Sequence, residues 1–213
     1  MFSSIAINWP SLLPCVIMLW LPLALVLGKT VQYRELDSAW HRYTWRAISL
    51  PWHWIDGVRS AMGTYLLCEV AGFSRLLGSG EAHEPGAVVV VAVTLGVGVI
   101  LQTVVCRAEG SFHVPFSYVF GVIAVLFPPP VVALTLVVAV SAAIGFRTLA
   151  AFLWVLPMSL WGLGNWLYPH YVELGLGGGL SLLAAILPML FHRPFVFAHR
   201  MVPPDPEMLR GLR

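Results

Sequence analysis

The chain has 213 residues, 59% of them hydrophobic and 10% charged, with a mean hydropathy of +0.83 and a formal charge of +2. Soluble domains average about 25% charged residues, and one of this size has too little interior to hide so much apolar surface, which excludes a water-soluble fold. The small net charge argues against a nucleic-acid partner, and apolar runs without period-two alternation argue against an outer-membrane barrel.

What remains is an all-α fold: a polytopic transmembrane helix bundle of about seven membrane segments, forming one integral membrane domain over 1–213. The first segment, 9–28, is long enough as a helix to cover about 30 Å of hydrocarbon. Pro10 suits its first turn, whereas Pro14 and Pro22 each remove a backbone bond and should bend it. No positive charge precedes it, so it is expected to be retained, with its start outside the cytoplasm.

Residues 29–55 interleave arginines with indole and phenol rings, the mark of the headgroup layer. They are expected to form one or two short interfacial helices. Trp40, Arg42, Trp45, Arg46, Trp52 and Trp54 make the candidate surface for lipid or a partner. The second segment is 56–77. At 100° per residue, Val58, Met62, Tyr65 and Glu69 share one stripe, and Ser60, Gly63, Thr64 and Cys68 the opposite one. A turn-rich link follows, then a β-branched span over 87–106.

Three prolines, Pro128, Pro129 and Pro130, divide the next apolar stretch into arms 115–127 and 131–146, a Pro-broken hairpin that either crosses twice or is re-entrant. Segments 148–168 and 174–191 follow, the first kinked at Pro157 and the second rich in glycine. The tail, 192–213, is basic and proline-rich, with low order expected. With the N-terminus outside, every Lys and Arg except Arg75 falls on the cytoplasmic side, which also takes the C-terminus. The expected location is a cell membrane, the bacterial inner membrane.

Few residues carry chemistry. Glu69 is the ionisable group expected deep in a span, where a carboxylate is costly and invites a proton-relay or cation-binding role. Its candidate structural partners across helices are Asn165, Gln102 and Arg147. Asp56-Gly57-Val58-Arg59 resembles the opening of the CDP-alcohol phosphotransferase signature, an aspartate-glycine pair followed by alanine-arginine. Here the arginine comes one position early and no further aspartate pair follows. Asp56 is therefore read as an acid stabilising a helix start.

His41, His53 and His113 share one expected side without metal-ligand spacing, and Cys15, Cys68 and Cys106 are too scattered for a metal or redox motif. No haem-type histidine pair, nucleophile elbow, zinc-protease helix or phosphate loop is present. Catalytic residues, cofactors and metals are thus not expected. The reading is a non-enzymatic scaffold or accessory subunit whose partners are the bilayer and other membrane subunits. The alternatives are a small transporter or permease using the hairpin and Glu69, and a lipid-acting membrane enzyme.

Overall fold

A computed structural model describes residues 9–22, 31–35, 51–73, 84–105, 110–169, 171–192 and 194–200. Among them are seven helices: α1 (Trp9–Trp20), α2 (Pro51–Ala71), α3 (Pro85–Val104), α4 (Phe116–Leu126), α5 (Pro129–Phe146), α6 (Leu149–Leu167) and α7 (Tyr171–Leu190). Four helical stretches, Pro85–Val104, Pro129–Phe146, Ala150–Leu167 and Tyr171–Leu190, are long and apolar enough to cross a bilayer, while α1 and α4 are shorter apolar helices.

Helix ends follow local chemistry. The first segment, expected over 9–28, is described as helix only to Trp20. Leu21 precedes Pro22, and a residue before proline is pushed out of the helical region. α2 starts five residues earlier than the expected 56–77 segment, at Pro51, and stops at Ala71. Its stop is Gly72, at φ +68. The Phe73 N–H donates to the Cys68 carbonyl (2.8 Å) and the Gly72 N–H to that of Glu69 (3.3 Å), the double bond of a left-handed helix terminator. Phe73 then tucks into the core.

The prolines of the hairpin act as the spacing implies. Phe127 turns extended before Pro128, which caps α5, and prolines in the next positions occupy a first turn that needs no N–H. The arms then part: α4 packs chiefly on α2 and α5 chiefly on α6. At the far end of α5, Arg147 takes the left-handed conformation at φ 55, and Thr148 accepts from the Ala150 N–H (3.2 Å) to cap α6.

The packing of α2 is inside-out relative to a helix of a soluble protein. On α2 the apolar stripe of Val58, Met62 and Tyr65 is exposed, whereas Ser60, Gly63, Thr64 and Cys68 are buried. Lipid is as apolar as a leucine side chain, so close approach rather than apolarity decides the inner face. Gly121 of α4 lies directly on the α2 backbone, where a Cβ would overlap Ser60 Oγ and the Gly57 carbonyl.

The helical class stands, and beside it is a small three-stranded sheet that periodicity did not anticipate. β1 (Val31–Glu35) pairs antiparallel with β3 (Phe195–Arg200), and β2 (Phe112–His113) pairs with β3 in parallel, in the order β1-β3-β2. Within 29–55 the described residues are β1 and the first turn of α2; residues 29–30 and 36–50, where the expected interfacial helices would sit, lie outside the described residues. Part of the tail expected to lack order is β3. The sheet gathers chain segments at one end of the bundle. Val114, next to β2, packs with Leu153 near the start of α6 and Ala185 near the end of α7.

Candidate functional site

Breaking α1 at Leu21-Pro22 leaves carbonyls at its C-terminus without intrahelical donors, and in a buried setting each needs a partner. The neighbouring helices supply them. Arg59 of α2 donates to the Met18 carbonyl, and the Gln102 side chain of α3 donates to those of Leu21 (2.8 Å) and Leu19 (3.4 Å). Two turns earlier on α3 than Gln102, the Thr94 carbonyl accepts from Trp20 Nε1 at 2.9 Å, tying α1 to α3. A guanidinium at this end also meets the negative pole of the α1 dipole.

Arg59 is itself held by Asp56, three residues earlier on α2. Nη2 and Nε lie 2.5 and 3.1 Å from Asp56 Oδ1, with side-chain exposures of 16% for Arg59 and 3% for Asp56. His53, one turn before Asp56, lies within electrostatic reach of Asp56 and of His113 on β2. His113 is buried, and its ring donates to the Gln102 backbone carbonyl. Burial first, and then the charge on His53, hold its pKa down to about 4 against the pull of that carbonyl, so the ring is neutral at pH 7. The cluster closes on itself: β2 to α3, α3 to α1, α1 to α2, and α2 back to β2.

Tyr118 of α4 reaches the same region. Its side chain is fully buried, its hydroxyl has no hydrogen-bond partner among the described residues, and it lies against Gly98, where a Cβ would overlap it. Chemically the cluster is a fastening. Its strongest donors are spent on the end of α1, and among the described residues no three His, Cys, Asp or Glu side chains are grouped to hold a metal ion.

Of the four expected intramembrane polar residues, only Gln102 belongs to this cluster. Arg147 is an exposed helix stop at the sheet end of α5. Glu69 sits in the last turn of α2, at the opposite end from Gln102 and Arg147, and faces outward. Asn165 is exposed near the end of α6, beside an open groove of about 470 Å³ lined by Trp161, Gly162, Tyr171, Leu174 and Gly175. Of the candidate surface, Trp54 is exposed on the first turn of α2. Trp40, Arg42, Trp45 and Arg46 lie outside the described residues, as does the Trp52 side chain.

Asp56, Arg59, His113 and Tyr118 were not singled out together from sequence. The available signal was an acid and a base three apart in a helix whose one other charged residue is Glu69. Glu173 was also missed. It is 1% exposed in the first turn of α7, because that helix begins at Tyr171 rather than at 174. Trp161 Nε1 locks this turn to α6 by donating to the Leu174 carbonyl at 2.9 Å. No protein-family model matches the chain, and neither a curated protein nor a solved structure matches it.

Proposed function

We propose that the chain is a non-enzymatic, multi-pass membrane scaffold or accessory subunit. It has about seven membrane segments, the Pro-broken hairpin crossing twice or re-entrant, with the N-terminus outside and the tail in the cytoplasm, in a bacterial inner membrane. One observation carries the reading. Gly145 of α5, Gly162 of α6, and Gly175 and Gly179 of α7 stand within helices, yet an added Cβ at each would meet nothing within 4 Å among the described residues. Glycine inside a helix costs about 1 kcal/mol relative to alanine in water, and nothing among the described residues uses the close approach it allows. A helix from another subunit would use it. Gly162 and Gly175 flank the groove beside Asn165, whose exposed amide gives such a helix a polar contact.

Purification from membranes in mild detergent, followed by mass spectrometry of the intact assembly, tests this. A stoichiometric membrane partner that is lost in Gly162→Leu supports the scaffold reading. A lone chain of unchanged composition in both wild type and variant contradicts it.

A further inference from the structure

The fastening at the sheet end holds one carboxylate, one guanidinium and two imidazoles. α2 contributes His53, Asp56 and Arg59, α3 contributes Gln102, and α1 contributes only carbonyls. α4 brings the neutral Tyr118 to the Asp56–Arg59 pair, and β3 faces His113 with Val196. With both imidazoles neutral the charges cancel. A proton added to this cluster brings a cation with no second carboxylate among these groups to balance it. His113 is the group least able to accept that, because it is 5% exposed and its ring is committed to the Gln102 carbonyl.

We propose that this end of the bundle is an acid-released clasp: proton uptake by buried His113 frees β2, and with it the three-stranded sheet, from the helices. The geometry makes β2 the weak point. It is two residues long and held by the Phe112 N–H on the Pro194 carbonyl and the Val114 N–H on that of Val196, each at 3.0 Å. Imidazole is also the side chain whose charge ordinarily changes between about pH 8 and pH 5. A buried value below the free one means the clasp is whole above about pH 6.5 and loosens as pH falls toward about 4.

Hydrogen exchange on the full chain in detergent, read by mass spectrometry and corrected for intrinsic rates, measures opening at the Phe112 and Val114 amides. Free imidazole near 6.5 and His113 at about 4 give a ~30-fold rise in opening between about pH 7.5 and about pH 5, with α5 amides unchanged. His113→Gln keeps a donor for the Gln102 carbonyl but does not titrate, so the rise should disappear. A wild-type rise below about threefold overturns the clasp whatever the variant does. A rise undiminished in His113→Gln also overturns it.

Discussion

Replacing Arg59 with methionine keeps the volume of the side chain and removes its charge. Two things are lost: the donor to the Met18 carbonyl and the counter-charge for Asp56, whose side chain is only 3% exposed. Removing one member of a buried pair costs about 3–5 kcal/mol, because the remaining charge stays desolvated and uncompensated. Replacing both members with apolar residues costs far less. Arg59→Met with Asp56→Leu forfeits chiefly the bond to the α1 end, about 1 kcal/mol. The double variant should therefore be more stable than Arg59→Met alone. Reversible unfolding by a denaturing detergent in mixed micelles measures all four corners of the cycle. A cost below about 1 kcal/mol for Arg59→Met, or a double variant as unstable as the sum of the singles, would refute a buried, mutually dependent pair.

Three further outcomes follow from the packing. Gly121→Ala drives a Cβ into the Gly57 carbonyl, which cannot rotate away, and should cost about 2 kcal/mol; Gly145→Ala points into open space and should be neutral or slightly stabilising in the isolated chain. Thermal unfolding in detergent separates the two. Tyr118→Phe removes a buried hydroxyl without a partner among the described residues, so stability in the same assay should stay level or rise by about 1 kcal/mol. Glu69→Gln changes an outward-facing side chain and should leave assembly with any co-purified subunit intact; a lost solute flux with intact assembly would instead favour the transporter.

Some of this was legible in the chain and some was not, for definite reasons. The triple proline marked the break between α4 and α5 to within a residue or two, because proline cannot continue a helix but readily starts one. Gly72 followed by an apolar residue was an equally local stop signal, and the hydropathy of 56–77 masked it. The stripe holding Glu69 was correctly periodic, yet periodicity does not say which stripe faces inward. In lipid the small polar side won, which put Glu69 outside and Ser60 and Thr64 inside. The sheet joins Val31–Glu35 to Phe195–Arg200 across most of the chain, and five- and six-residue strands leave no pattern that foretells so distant a pairing. The same distance hid the cluster. Gln102 acquires meaning only once α1 is known to stop at Trp20 and to leave its carbonyls for Gln102 and Arg59 to serve, and His113 only once it is known to meet the Gln102 backbone.

The most direct test of a membrane-crossing bundle with the sheet at one end is thiol accessibility in sealed vesicles, using single cysteines at Gln32, Ser111, Thr148 and Glu84. The account predicts that an impermeant reagent reaches the first three from one face and Glu84→Cys from the other. Labelling of all four from the same face would contradict it.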